Sequence, residues 1–207
     1  MTLDRYITLA HGNGGRFMHD LIDGIFARHL ANPSLNVTLD AAPLCPIPSM
    51  ETLITTDGFT VKPLEFPGGD IGSLAVNGTV NDLAVSGAEP RYLTLSAIIE
   101  EGLETEQLDR IVQSLAEAAR KACVQVVAGD TKVVPRGEGG GLYLVTTGVG
   151  QRAPGCGLSI AAIRENDVIL VSGPVGDHGI AVMLARGEFE LTGTVSSDCA
   201  AVTPFTL

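Results

Sequence analysis

Ala128-Gly129-Asp130-Thr131-Lys132-Val133-Val134 runs an apolar stretch into a glycine, a carboxylate, a hydroxyl and an ammonium. Hard oxygen ligands hold Mg²⁺ and a cation neutralises phosphate charge, so this string carries the groups that a nucleotide's phosphates require. Gly-Asp-Thr also suits a turn before an edge strand. Two further carboxylates stand in comparable settings. Thr55-Thr56-Asp57-Gly58 ends a β-branched run in an acid followed by glycine, which puts Asp57 at the exit of a strand. Val80-Asn81-Asp82-Leu83 sets an Asn-Asp pair inside apolar helix sequence, where a buried carboxylate is costly without a cation or a hydrogen-bond partner. Each acid alone also fits a turn or a cap. Taken together, Asp57, Asp82 and Asp130 all border strongly apolar segments, and three convergent carboxylates would suit one or two Mg²⁺ ions bridging phosphates.

Two glycine-rich stretches precede helical sequence and offer backbone N–H groups to an anion: His11-Gly12-Asn13-Gly14-Gly15 and Pro67-Gly68-Gly69-Asp70-Ile71-Gly72. Neither follows the Gly-x₄-Gly-Lys-Ser/Thr pattern, and no Gly-x-Gly-x-x-Gly with a suitable acid is present, so nucleotide binding here implies another fold. His11 stands beside the first glycines as a possible ligand. Gly176-Asp177-His178-Gly179 opens a helix and suits either a ligand contact or a structural cap. There is no Gly-x-Ser-x-Gly elbow, which disfavours a serine hydrolase.

The elements that must position these groups are legible in the apolar spacing. Phe17, Leu21, Ile22, Ile25, Phe26 and Leu30 recur with helical period, as do Leu108, Ile111, Val112, Leu115, Ala119 and Ala122, with Thr105 as the expected N-cap of the latter. Ile71, Leu74, Ala75 and Gly78 mark a third helix continuing to about Val85. Strand-like runs lie at 52–56, 93–99, 124–128 (extending to about 134), 142–149 and 168–172, with a glycine-rich turn at 135–141. A loop over 173–179 leads into a helix to about Arg186. Strands and helices interleave, so the class is α/β or α+β, and Ala153-Pro154-Gly155 is the candidate domain boundary.

Lys plus Arg number 13 against 24 Asp plus Glu, a net charge of −11 that repels nucleic acid and anionic membranes. Binding polyphosphate despite this charge demands Mg²⁺ or a few placed lysines. With 45% hydrophobic residues the chain can bury a sizeable core. The start Met1-Thr2-Leu3-Asp4-Arg5 lacks a signal-like pattern and no apolar run reaches membrane-spanning length, which reads as a cytoplasmic protein. Cys45, Cys123, Cys156 and Cys199 are scattered without metal-ligand spacing and read as reduced thiols.

The motifs in order, His11-Gly12-Asn13-Gly14-Gly15, Thr56-Asp57-Gly58, Phe66-Pro67-Gly68-Gly69-Asp70-Ile71-Gly72, the run from Asn81-Asp82-Leu83 to Ser86-Gly87-Ala88, Gly129-Asp130-Thr131-Lys132-Val133-Val134 and Ser172-Gly173-Pro174-Val175-Gly176-Asp177-His178-Gly179, closely resemble the HypE family of hydrogenase-maturation carbamoyl dehydratases. That family sits within the aminoimidazole ribonucleotide synthetase-like ATP-binding superfamily. The resemblance implies an α+β fold: an N-terminal ATP-binding and dimerisation domain over 1–152, whose sheet pairs with that of a second copy and builds ATP sites near the interface, then a C-terminal α/β domain beginning at 153 and incomplete at 207. It implies ATP-dependent dehydration of a carboxamide, carried as a thioester on a C-terminal cysteine, to a thiocyanate that supplies cyanide ligands to nickel-iron hydrogenases. Carried over residue by residue, Asp57, Asp82 and Asp130 would hold Mg²⁺, Lys132 and Asp130 would be catalytic, and Gly12, Asn13, Gly14, Gly15, Thr56, Asn81, Thr131 and Lys132 would line the nucleotide site. The implied partners are a second copy, a carbamoyltransferase of HypF type and scaffold proteins of HypC and HypD type. The family's tail carries Pro-Arg-x-Cys, whereas this chain ends Pro204-Phe205-Thr206-Leu207, so a fragment is expected. Alternatives are another enzyme of the superfamily, of the aminoimidazole ribonucleotide synthetase or thiamine monophosphate kinase type, or a non-catalytic nucleotide-binding dimerisation module.

Overall fold

The computed structural model describes residues 4–35, 37, 47–156, 158–187 and 193–206. Met1, Thr2, Leu3, Cys45 and Gly157 lie outside the described residues. After a 3₁₀ turn at Leu9–Gly12 comes a first helix, α1, which is α-wound at Arg16–Leu21, π-wound at Ile22–Ala27 and α-wound again at Arg28–Leu30. Strand β1 spans Glu51–Phe59, and a short hairpin, β2 (Glu65–Phe66) and β3 (Gly69–Asp70), leads directly into helix α2, Ile71–Val85. Strand β4 (Glu89–Glu100), helix α3 (Thr105–Lys121), β5 (Gln125–Val134) and β6 (Leu142–Arg152) follow, then α4 (Asp177–Arg186) and a last turn of helix, α5 (Thr203–Thr206).

The main sheet has four strands in the order β1-β6-β4-β5. β4 and β5 are parallel, joined by α3 as a crossover, and β6 pairs antiparallel with both β1 and β4. Alternation decides which face is covered. Leu93, Leu95, Ala97 and Ile99 of β4 and Leu142, Leu144 and Thr146 of β6 are buried, and α2 packs beneath β1 and β6. The intervening residues, Tyr92, Thr94, Ser96, Ile98, Tyr143, Val145, Thr147 and Val149, face the other side and are half-buried. The β1 edge of that open face carries Ile54, 72% exposed.

α2 lies between the sheet and α3 and is apolar nearly all round, with Ile71, Ala75, Val76, Val80, Leu83 and Ala84 in the core. α3 is two-faced, burying Leu108, Ile111, Val112, Leu115 and Ala119. Its N-cap is Glu104, not Thr105 as expected, because the Thr105 hydroxyl donates instead to the Asp4 carbonyl oxygen. Val168, Ile169, Leu170 and Val171, expected to be a strand, take no regular structure and stand exposed, Leu170 at 89%. A strand needs a neighbour for its backbone groups, and no described strand lies beside this run.

Two carboxylates fasten the periphery. Glu100 accepts from the Gly137 and Gly141 N–H groups at 2.7 and 2.9 Å, which holds its carboxyl below the usual range and closes the 135–141 turn. Glu65 ties the β2–β3 hairpin to α3 through Arg110, at 3.0 and 3.1 Å, and Gln107. The Arg110 guanidinium lowers the Glu65 carboxyl from its ordinary 4.5. A carboxyl depressed in the folded state contributes stability above its unfolded value, and that contribution disappears as pH falls through the folded value. Glu65→Gln is therefore expected to melt below the parent at pH 7, with the gap closing below about pH 4.5. Melting curves of the two proteins across that range check it, and a gap that persists at low pH contradicts it.

Candidate functional site: two half-sites at opposite sheet edges

Asp57 sits on β1 at one edge of the sheet, exposed, its Oδ1 accepting from the Gly58 N–H at 2.7 Å. Two residues earlier and on the same face, the Thr55 hydroxyl donates to Asp82 Oδ2 of α2 at 3.2 Å. Two strand steps span roughly 6.7 Å, so Asp57 stands about that far along β1 from the residue that Asp82 contacts. Asp82 is exposed, against the expectation of a buried acid. It lies on the flank of α2 beside the outermost strand, where no further strand covers it. Below the pair, buried Thr79 of α2 and Thr146 of β6 join hydroxyls, and Thr146 Oγ1 also donates to the Ala75 carbonyl oxygen. Thr146 is the cross-strand partner of Asp57, so this buried contact fixes the height of α2 under the acid. Thr56 points to the opposite face. Its hydroxyl donates to the Thr146 carbonyl oxygen and accepts from Thr147.

Asp130 and Lys132 occupy β5, the other edge. The register aligns Gly58 with Val145, Val145 with Ser96 and Ser96 with Asp130. Asp130 and Lys132 therefore share the open face with Ser96 and Ile98, whereas Asp57 shares the helix-covered face with Thr146. Three inter-strand steps separate the edges, about 14 Å. The three carboxylates do not converge within one copy of the chain. Among the described residues no three His, Cys, Asp or Glu side chains gather at metal-binding spacing. Both Asp130 and Lys132 are exposed, and Lys132 has no ion pair among the described residues. Thr131, between them, is buried.

The first glycine segment belongs to this second edge. A Cβ on Gly12 would lie 3.0 Å from Val133 Cβ and 3.1 Å from its nitrogen, a contact only glycine makes without displacement. Asn13, Gly14 and Gly15 extend from there into solvent, and Gly15 is the N-cap of α1 with no side chain over it. Beside them a cleft of about 400 Å³ runs between α1 and β5, walled by Met18, Ile22, Phe26, Val127 and others and ending at Gly129, Asp130 and Thr131. His11 is not available as a ligand: it is buried, its Nδ1 accepting from the Thr8 N–H at 3.1 Å.

The second glycine segment is closed. Asp70 Oδ1 accepts from the Gly72 and Ser73 N–H groups at 2.7 and 2.9 Å, so the donors at the start of α2 are already satisfied from within the motif. Asn81 is also occupied, its amide meeting the backbone of Ala200 and Val202. His178 lies edge-on to Phe66 and pairs with Ser197 Oγ at 3.0 Å. Cys123, Cys156 and Cys199 are free thiols.

A sheet layered on helices, with a glycine segment and a Gly-Asp-Thr-Lys strand at one edge, defines a known class. Residues 39–151 match the family described as AIR synthase related protein, N-terminal domain, and the chain belongs to that family. Within it, the chain is similar to the carbamoyl dehydratase HypE of Rhodobacter capsulatus, at 46% identity over 201 residues, covering 96% of this chain and 59% of the relative. It is similar to the crystal structure of the hydrogenase maturation protein HypE in complex with ATP, with a TM-score of 0.88 and 44% identity over 99% of this chain and 59% of that one. The HypE–HypF complex matches at a TM-score of 0.72 and 46% identity over 90% of this chain and 60% of that one. The resemblance read in the motifs is borne out, and so is the α+β fold. The chain spans about 59% of the length of the relatives it matches. No helix among the described residues is long and apolar enough to cross a membrane.

Proposed function

We propose that this chain forms the ATP-binding part of a HypE-type carbamoyl dehydratase, and that each nucleotide site is completed by two copies. The observation that carries the activity is the likeness, over 99% of this chain, to a HypE structure holding ATP. The pairing rests on the geometry. One edge carries Gly12, Asn13, Gly14, Gly15, Asp130, Thr131 and Lys132, and the other carries Thr56, Asp57 and Asp82, too far away to share a ligand within one copy. The open face between the edges, with Ile54 72% exposed, suits a second copy related by a two-fold axis. In that arrangement the Lys132 edge of one copy meets the Asp57 edge of the other.

The nucleotide's base takes the apolar cleft between α1 and β5, and its phosphates lie toward Lys132 and the free N–H groups at the start of α1. The donor set fits Mg²⁺, which commonly takes one or two carboxylates plus phosphate oxygens; Asp57 and Asp82 supply the pair and the facing Asp130 a third. When bound, Mg²⁺ neutralises developing phosphate charge. The reaction transfers the γ-phosphoryl to the oxygen of a thiocarbamate amide. That oxygen then leaves as phosphate while the nitrogen loses its protons, giving the thiocyanate and ADP. Lys132 would balance phosphate charge, and Asp130 would be one of the carboxylates that hold the metal. The thiocarbamate comes from a carbamoyltransferase of HypF type, and the cyanide passes to HypC- and HypD-type scaffolds. We place the end of the ATP-binding domain at 152, where β6 ends, and the start of the α/β domain at 153. Calorimetric titration with ATP tests the reading: binding is expected with Mg²⁺ and far weaker without it, and no binding with Mg²⁺ present would refute it.

A further inference from the structure

We propose that Asn81 is a positioning residue which, with Asn77 one helical turn earlier, docks the extended segment 197–202 on α2, and that it does not meet the nucleotide. Asn81 Nδ2 donates to the Ala200 carbonyl oxygen at 3.0 Å, and its Oδ1 accepts from the Val202 N–H at 2.8 Å. Those two partners lie two residues apart on one side of an extended chain. The side-chain amide thus reproduces the contacts that one residue of a parallel strand makes with its neighbour. The oxygen and one of the two N–H donors of the amide are spent on the segment, which fixes the plane of the side chain toward it. Asn77 Nδ2 approaches Cys199 Sγ at 3.4 Å from the same flank of the helix.

The rest of the segment is fastened on independent partners. The Ser197 N–H donates to the Pro67 carbonyl oxygen at 2.8 Å, and a Cβ on Gly68 would lie 2.6 Å from the Ser197 nitrogen, so this turn admits the segment only because Gly68 lacks a side chain. Asp198 Oδ1 accepts from the His178 N–H at 3.2 Å in the first turn of α4, and Ser197 Oγ pairs with His178 Nδ1. One strap therefore joins the β2–β3 turn, the start of α4 and the middle of α2. Asp82, the next residue, is held separately, its Oδ2 accepting from the Thr55 hydroxyl of β1 at 3.2 Å. The strap also shields Cys199, whose thiol burial pushes upward in pKa.

Alkylation of Cys199 by iodoacetamide, read by peptide mass mapping with exposed Cys123 as the internal reference, tests the assignment. Asn81→Ala is expected to raise the Cys199 rate roughly tenfold relative to Cys123, since strap opening then breaks two fewer hydrogen bonds. Asn81→Asp keeps the acceptor for Val202 and loses the donor to Ala200, so an intermediate rate is expected. Mg-ATP affinity should stay within about twofold in both. The thiol readout does not require nucleotide binding, so failure of the ATP reading leaves it intact. An unchanged Cys199 rate in Asn81→Ala overturns the proposal, and an accompanying fall in ATP affinity would return Asn81 to the nucleotide site.

Discussion

Replacing Asp130 by asparagine is expected to weaken Mg-ATP binding at least about a hundredfold, equivalent to roughly 3 kcal/mol, with little change in melting temperature. The two effects separate because of where the residue stands. Asp130 is exposed on the edge strand, and its one hydrogen bond among the described residues, Oδ1 accepting from the Thr131 N–H at 2.9 Å, is kept by an asparagine oxygen. Volume and backbone geometry are conserved, so the sheet has no reason to loosen. The formal charge is lost, however, and a hard cation between carboxylates and phosphates depends on charge more than on any neutral oxygen. Calorimetry beside thermal melting checks both halves. Retained affinity would remove Asp130 from the metal site, and a collapsed melting temperature would make it a structural residue.

The elements around the site were legible in the sequence where period and burial coincide. Leu108, Ile111, Leu115 and Ala119 repeat on one face of α3 and are buried there, and α2 runs over the span that Ile71 to Gly78 suggested. Topology was less accessible. Nothing in local spacing says that β6 inserts between β1 and β4, and that insertion puts Asp57 and Asp130 at opposite edges. Three acids beside apolar runs therefore read as one cluster although they lie at two opposite edges of the sheet. Asp82 misled for a related reason: α2 is apolar nearly all round, which implies burial on every side, yet its outer flank lies beyond the last strand.

Glycine motifs look alike in sequence and differ in the fold. In the stretch before α2, Asp70 turns its carboxylate back onto the helix N-terminus and Gly68 admits Ser197, so the segment is closed. In the stretch before α1 no acid follows the glycines, and Gly14 and Gly15 face open space. The signal was present as the Asp70-x-x-Ser73 spacing, which is a capping pattern. The exposed run 168–171 shows the limit of propensity: β-branched residues favour a strand only where another strand accepts their backbone. Asn81 had no readable signal, because its partners lie some 120 residues downstream.

The central claim, that each site takes its two halves from different copies, is tested most directly by mixing two defective variants. Asp57→Asn disables one half-site and Lys132→Ala the other, so neither variant alone should bind Mg-ATP appreciably. When the two are co-expressed in equal amounts, half of the dimers are mixed, and each mixed dimer has one site with both halves intact and one with neither. Calorimetric stoichiometry of the mixture should recover about one quarter of the parent's sites at the parent's affinity. A mixture as inactive as its components would mean that Asp57 and Lys132 serve sites within a single copy or do not serve the nucleotide at all, and the two-copy site would be contradicted.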